Sequence, residues 1–501
     1  MIRAFLSVGG WTLASRLTGF LRDILMARIL GAGLMMDAFA VAFRLPNHFR
    51  AIFAEGAFST AFIPAYTRIR AQAGAQAADL FQGRIFSLVL VSQLVLLGLV
   101  LAFTPGFVGL LAPGFTARPE AMRLATELTR ITFPYLALIT LVVLWTGVLN
   151  AEKRFAAGAA APVLLNLAMI STLLAGAFFA TPAHAAAWGV LLAGFLEAGL
   201  LGFAAWRAGL IARPAVPKAD ADVGGFFRAF GPAVIGAAGV QIAMFADTIL
   251  VTFLPQGGAS ALYFADRLYQ LPIGVIGIAA GTVLLPEMSR LLAEGKPDVA
   301  HTQQNRALVL SWVLAAPFFA GFLALPEVIV AALFERGAFD ARATATTAAV
   351  LAAYAVGLPA IVGIRSMVAS FHARSDTKTP LYASLTAIAI NLVIKLLVWQ
   401  SLGAAGLALA TAIGAIVNFG LLFWLAKRQG KAAPDRMVAK AVGVLLLCTG
   451  LLAGMLLAAN AAYGVLPPLA RLPIVGAIGA LFYASALYLG FVIARLPLRL
   501  R

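Results

Sequence analysis

The sequence predicts an all-α polytopic membrane protein of about fourteen transmembrane helices, and three features carry that expectation. Hydrophobic residues make up 62% of the 501 and charged residues 11%, and the mean hydropathy of +0.96 lies far above that of soluble proteins. Runs of about 20 residues with few charges recur along the chain, the length a helix needs to cross the hydrocarbon layer. Lysine and arginine gather in alternate loops, as they do when positive charge fixes orientation. Spans and short loops use nearly all of the length, leaving no room for a separate soluble domain.

The first span, near 5–30, contains Arg16, Arg22 and Arg28 and is too long and too interrupted for a cleaved signal peptide, so it is read as a retained helix. The second, near 34–65, holds Pro46, and Arg68, Arg70 and Arg84 separate it from the third, near 84–112. Arg118 and Arg123 lead into the fourth, 122–150, and Lys153 and Arg154 precede the fifth, 158–180. A turn at 181–186 without lysine or arginine precedes the sixth, 185–208. Arg207, Arg213, Lys218 and Arg228 mark the passage to the seventh, 226–253, and a turn at 254–260, again without basic residues, joins it to the eighth, 259–288. Arg290, Lys296 and Arg306 come before the ninth, 308–334, then Arg336 and Arg342 before the tenth, 344–372, and Arg374 and Lys378 before the eleventh, 379–400. The bare turn 400–405 leads to the twelfth, 405–427. Lys427, Arg428, Lys431, Arg436 and Lys440 introduce the thirteenth, 438–460, and Arg471 the fourteenth, 472–495. By the positive-inside rule the basic loops and both termini are cytoplasmic, and an even number of spans, which puts both termini on one side, fits that independently.

The net charge of +17 therefore reports orientation in a membrane, not nucleic-acid binding. Cys448 is the single cysteine, lies in an apolar run and is expected to serve packing. His48, His184, His301 and His372 have no metal-ligand spacing. No nucleophile motif, Walker loop or carboxylate cluster supports catalysis or ATP use, so the chain is expected to be a transporter, not an enzyme, and no cofactor is expected.

An internal repeat divides the chain. Residues 40–68, AVAFRLPNHFRAIFAEGAFSTAFIPAYTR, match residues 263–290, YFADRLYQLPIGVIGIAAGTVLLPEMSR, in an RL dipeptide, a following proline, a small-residue centre and a closing P-x-x-x-R. Such duplication in a transporter implies two bundles related by a pseudo-two-fold axis with the site between them. The expected organisation is an N-lobe over 1–218 (spans one to six), a C-lobe over 219–430 (spans seven to twelve) and a C-terminal helix pair over 431–501. Pro46 and Pro272 each remove a backbone donor inside a helix and are expected to kink it.

Charges inside these apolar spans locate the site. An ionisable group at bilayer depth costs roughly 2.5 kcal/mol or more, so it normally faces a polar cavity. Arg16 and Asp23 are seven residues apart and share a face of the first span, and Asp37 and Arg44 do so on the second. Each carboxylate can pair with its guanidinium, either as a clamp between helices or as part of a binding site. Arg22 and Arg50 have no acid at i±4 or i±7, which points to an anionic ligand. In the eighth span Asp266 and Arg267 are adjacent and point in different directions, while Ser260 shares the face of Arg267 as Ser15 shares that of Arg22. A planar, permanently charged guanidinium suits phosphate, and a diphosphate would satisfy several at once. Asp247 in the seventh span and Lys395 in the eleventh are isolated charges, readable as an ion pair across helices or as a coupling-ion site.

These residues carry a family resemblance. The stretches SRLTGFLRD (15–23), ARILGAG (27–33), DAFAVAFRLPNHFRAIFAEGAFSTAFIP (37–64) and YFADRLYQLPIGVIGIAAGTVLLP (263–286) resemble the MurJ/MviN family of lipid II flippases. The resemblance implies a multidrug/oligosaccharidyl-lipid/polysaccharide exporter fold, with two six-helix lobes in a V around a cavity and two C-terminal helices bordering a groove for a prenyl tail. It implies a substrate too, the undecaprenyl-diphosphate-linked peptidoglycan precursor, flipped from the cytoplasmic to the periplasmic leaflet of the bacterial inner membrane. Carried over by position, the family's cavity residues fall on Ser15, Arg16, Arg22, Asp37 and Arg50, and on Ser260 and Arg267, with Glu55 helping to hold or gate the cavity. The sodium site of some members uses an acid in the seventh span and an Asn/acid pair four apart in the eleventh. Asp247 and Asn391 match it, but Lys395 stands where the second acid would be. Its ammonium can take the cation's place, which tells against sodium coupling and leaves the membrane potential or protons as driving forces.

The expected function is thus lipid II flipping by alternating access for cell-wall synthesis. Drug/cation antiport on the same fold would call for net acid in the cavity, where this chain has net arginine. A membrane enzyme acting on polyprenyl-diphosphate intermediates would need acidic clusters or a metal site facing a loop. Expected partners are lipid II, membrane lipids and cell-wall synthesis or division proteins, with no nucleic acid, and the expected state is a monomer.

Overall fold

In a bilayer every backbone N–H and C=O needs a partner within the protein, so apolar runs of this length fold as helices. The computed structural model describes residues 2–53, 56–218, 220–279, 284–429 and 435–494, and the regular structure among them is helical throughout. In chain order the helices are α1 (Ile2–Leu30), α2 (Leu34–Phe53), α3 (Gly56–Ala102), α4 (Thr104–Leu111), α5 (Pro119–Thr132), α6 (Tyr135–Ala151), α7 (Ala156–Leu174), α8 (Pro182–Arg207) and α9 (Ala221–Thr252). There follow α10 (Gly258–Ala279), α11 (Leu285–Ala293), α12 (Pro297–Ala324), α13 (Pro326–Phe334), α14 (Ala341–Ala355), α15 (Leu358–Ala373), α16 (Lys378–Arg428), α17 (Arg436–Ala462) and α18 (Pro468–Ile493). Among the described residues eight helical segments are long and apolar enough to cross a membrane, or nine if α14 and α15, bent by 40° at their junction, form one span.

Several spans expected to be continuous are broken, and proline marks the breaks. The third divides into the end of α3 and α4, the ninth into α12 and α13, and the tenth into α14 and α15, while the fourth keeps one span, Pro119–Ala151, with a turn between α5 and α6. Pro105, Pro326 and Pro359 sit in the first turn of α4, α13 and α15, and Pro134 precedes α6. Proline has no N–H to donate and crowds the turn before it, yet it fits a first turn, where that N–H has no partner anyway. Pro46 and Pro272, by contrast, lie inside α2 and α10. The long helices α3 and α16 each contain one non-helical residue, Gly74 at φ 85° and Gly403 at φ 54°. Glycine alone takes such angles without a Cβ clash, and Gly403 divides α16 at the boundary expected between the eleventh and twelfth spans.

The chain forms two compact units, Met1–Ser260 and Ala261–Arg501. In the first, α7 packs against α8 and α1, α6 against α8 and α3, and α2 against α5 and α9. Phe62 stacks on Tyr66 and on Phe81, each at 5.7 Å, in its aromatic core. In the second unit α16 packs on α14 and α15, and α12 on α15 and α17. The C-terminal pair α17 and α18 packs on itself and, through Cys448, Leu452, Leu456, Val475 and Tyr483, on Ala316 and Ala320 of α12. Tyr483 donates its hydroxyl to the Val313 carbonyl at 2.9 Å. Cys448 is buried here. Leucines such as Leu17, Leu397 and Leu481 stand exposed on helix surfaces, the pattern of side chains whose solvent is lipid.

Candidate functional site

Two of the charges selected by their cost in an apolar span meet at once. Arg22 on α1 donates to one oxygen of Asp23, from Nε at 3.0 Å and from Nη2 at 2.7 Å. Its Nη1 donates to Oδ1 of Asn166 on α7 at 2.9 Å. Asn166 in turn donates through Nδ2 to the Ser15 carbonyl at 2.9 Å and to the Thr18 hydroxyl at 3.1 Å. Arg22 is 7% exposed and Asp23 3%. This corrects two expectations. Asp23 serves Arg22, not Arg16, and Arg22 has its acid at the next position, not a turn or two away. A guanidinium is long enough to fold back over the following residue. Arg16 lies exposed on α1, and Ser15 is half-buried and contributes its carbonyl to the network.

Asn166 was not singled out in the sequence, although a lone amide in an apolar run obeys the same cost argument as a lone charge. It can reach Arg22 because α1 and α7 pack closely. Gly19 makes room, since a Cβ there would lie 3.3 Å from Asn166 Nδ2.

The second constellation joins α2 to the start of α10. Asp37 Oδ2 accepts from the Gly257 N–H at 2.7 Å, and Oδ1 accepts from the Ser260 N–H at 2.8 Å and the Ser260 hydroxyl at 2.5 Å. The N–H groups of a first helical turn have no partner within the helix, and a carboxylate meets both their hydrogen bonds and the positive end of the helix dipole. Gly257 takes φ 91°, and a Cβ there would stand 2.9 Å from the Ala32 carbonyl, so the turn requires glycine. Asp37 is therefore committed to α10. Among the described residues it forms no ion pair with the half-buried Arg44, contrary to the expected pairing. Ser260 is fully buried with its hydroxyl on Asp37, where the sequence suggested a face shared with Arg267. Beside this turn, Gly114 N–H donates to Thr252 Oγ1 at 3.1 Å, and Arg118, stacked 5.0 Å over Phe115, donates to the Thr252 carbonyl.

In the second unit Arg267 lies 4.7 Å over the ring of Tyr263, and Asp266 accepts a long bond of 3.4 Å from Gln270 one turn on. Lys395 is buried at 4% exposure on α16, one turn from half-buried Asn391, whose Oδ1 finds no hydrogen-bond partner among the described residues. Asp247 is half-buried on α9 in the first unit. An apolar cavity of about 340 Å³ lies between Leu268 and Leu271 of α10, Phe318 of α12, Leu452 and Leu456 of α17 and Leu472 of α18. The side chain of Arg50 and all of Glu55 lie outside the described residues.

The arrangement in the first unit is a buried, oriented cation on α1 and a carboxylate clasp between α2 and α10. Comparison with known proteins places both in context. The sequence profile of one family, described as "Lipid II flippase MurJ", matches residues 26–466. A protein of Rhizobium meliloti (strain 1021) named "Probable lipid II flippase MurJ" is 37% identical over 462 residues, covering 91% of this chain and 86% of its own. The "Lipid II flippase MurJ" of Burkholderia cenocepacia is 32% identical over 511 residues, covering 98% of this chain and 97% of its own. A solved structure, "Lipid II flippase MurJ, inward closed conformation", superposes with a TM-score of 0.82 at 24% identity, over 97% of this chain and 99% of that one. An inward-facing multidrug resistance MATE family transporter of the MOP superfamily superposes with a TM-score of 0.67 at 16% identity, over 83% of this chain and 94% of that one.

Proposed function

The chain belongs to the MurJ family of lipid II flippases, multi-pass membrane transporters and not enzymes, and we propose that it moves undecaprenyl-diphosphate-linked peptidoglycan precursor from the cytoplasmic to the periplasmic leaflet by alternating access. The observation that carries the residue-level reading is the Arg22–Asp23–Asn166 network, a cation held at fixed orientation inside apolar helices. Such a guanidinium is already desolvated and aimed, so a diphosphate entering the cavity meets a donor that needs little reorganisation. Asp23 balances Arg22 when no anion is bound, which lets the cation stay buried in every state of the cycle.

In this reading Arg16, Arg22, Arg50 and Arg267 neutralise the diphosphate, and the prenyl tail lies against the apolar cavity beside α17 and α18. The bonds of Asp37 to Gly257 and Ser260 fix the turn that leads into α10, so that helix starts from a set position during the cycle. Positive loops set the orientation, with both termini in the cytoplasm. Net arginine in the cavity favours an anionic passenger over the cationic drugs of an antiporter.

The test is depletion of the protein in a strain without a redundant flippase, with the leaflet location of the lipid-linked precursor measured by its access to an external modifying enzyme. Precursor should accumulate on the cytoplasmic leaflet. Unchanged exposure on the outer face would sink the proposal.

A further inference from the structure

A recess of about 390 Å³ opens where three apolar helices of the first unit end together, at the C-termini of α6 and α8 and the start of α7. Lys153, Arg154 and Arg207 line it with Leu149, Phe155 and three alanines, and none of the eight lining residues is acidic. The nearest carboxylate in sequence, Glu152, is committed to Arg70 at 3.0 Å. Among the described residues none of the three cations is in an ion pair.

The backbone is unusual at the same place. Arg154 N–H closes on the Leu149 carbonyl at 2.8 Å, the bond that ends a helix through a left-handed residue, and that residue is Lys153 at φ 58°. Next to it α8 ends through the same closure, Leu210 N–H to the Ala205 carbonyl at 2.9 Å, with Gly209 at φ 69° in the equivalent position. Glycine takes this conformation without strain, and Lys153, like Ser375 in the same closure after α15, carries a side chain there; at Lys153 that side chain lines the recess. Exposed Phe155 lines the recess, and exposed Phe203 and Trp206 flank its Ala204 and Arg207 in sequence on α8, the aromatic composition found where helices pass through lipid headgroups.

We propose that this recess binds the phosphodiester headgroup of an anionic phospholipid. Three cations at headgroup depth supply the attraction, and the apolar lining of Leu149, Phe155 and the alanines accepts the start of the acyl chains, which a free phosphate lacks. The site is separate from the Arg22 network, and its test reads binding, not flipping.

The full chain, purified in a neutral detergent, is titrated with phosphatidylglycerol, phosphatidylcholine or glycerol 3-phosphate, and bound lipid is counted by native mass spectrometry. Phosphatidylglycerol should bind in preference to phosphatidylcholine, and Lys153→Gln, Arg154→Gln and Arg207→Gln should each weaken it about fivefold. Lys153→Gly separates fold from charge, because it relieves the left-handed strain. It should unfold at a higher temperature without lipid and still bind phosphatidylglycerol more weakly. Equal binding of the two lipids, or unchanged affinity in the triple glutamine variant, overturns the proposal. Displacement of the lipid by equimolar glycerol 3-phosphate overturns it in favour of a free-phosphate site.

Discussion

Arg22 closes on Asp23, its own neighbour in the chain, with Nη2 and Nε both reaching the same carboxylate oxygen at 2.7 and 3.0 Å. Both side chains are buried, so deleting one removes a close counter-charge from the other where water cannot replace it. Arg22→Ala is therefore expected to destabilise the protein by ~3–5 kcal/mol, whereas Arg22→Ala combined with Asp23→Ala should recover most of that loss. Transport should be absent from both variants, since neither retains the cation. Thermal unfolding in detergent, read beside complementation of a depleted strain, checks the pair. Growth restored by the double variant would make the arginine a structural clamp only.

The clasp on α10 distinguishes a charge from a hydroxyl. Asp37 offers two acceptor oxygens to three donors, so Asp37→Asn turns one of them into an NH₂ group that faces a backbone N–H. Ser260→Ala removes one bond of the three and should cost ~1.5–3 kcal/mol, the range for a hydrogen bond to a charged group. Opening of the turn is expected to follow that order. A cysteine placed at Ala259, which is buried beside the clasp, should react with a maleimide fastest in Asp37→Asn, more slowly in Ser260→Ala and slowest in the parent. Buried Cys448 provides the unreactive internal reference. Equal labelling of all three would show that Asp37 does not hold this turn closed.

Arg22, Asp37 and Ser260 were legible in the sequence as residues, but their partners were not. Helical periodicity ranks neighbours at three, four and seven positions, so it passes over Asp23 beside Arg22 and assigns Asp23 to Arg16. It says nothing of Asn166, which is 144 residues from Arg22 in sequence, or of Ser260, which is 223 from Asp37. Such contacts are fixed by which helices pack together, and that depends on side-chain shape along whole faces. The helices themselves were legible because hydrophobic length dominates in a membrane. Their internal breaks at Pro105, Pro326 and Pro359 were equally present in the sequence, but a hydropathy window averages over them. At Gly403 the break is legible, because the bare turn 400–405 interrupts the apolar run where the helix is broken.

Gly19 permits the meeting of α1 and α7 on which the network depends. A methyl group there would stand 3.3 Å from Asn166 Nδ2, inside comfortable contact, and the amide must give by a few tenths of an ångström against its bonds to Ser15 and Thr18. Gly19→Ala is expected to lower stability by ~1–3 kcal/mol, as other overpacked sites do, despite alanine's higher helix propensity. Thermal unfolding of Gly19→Ala and of Asn166→Ala, singly and together, checks this. The double variant should be less than additive, because the methyl group has nothing to displace once the amide is gone.

Lys395 makes the coupling ion a question of charge. The family's sodium site, as the resemblance implies it, needs an acid one turn after Asn391, and this chain has a buried lysine there. An ammonium at that position would repel a second cation, so on this reading flipping should continue at an unchanged rate when sodium is replaced by N-methylglucamine in proteoliposomes. Lys395→Asp restores a carboxylate beside the Asn391 oxygen, which has no hydrogen-bond partner among the described residues. That variant should flip only with sodium present, provided the protein still inserts. Sodium dependence of the parent chain would show that Lys395 does not take the ion's place.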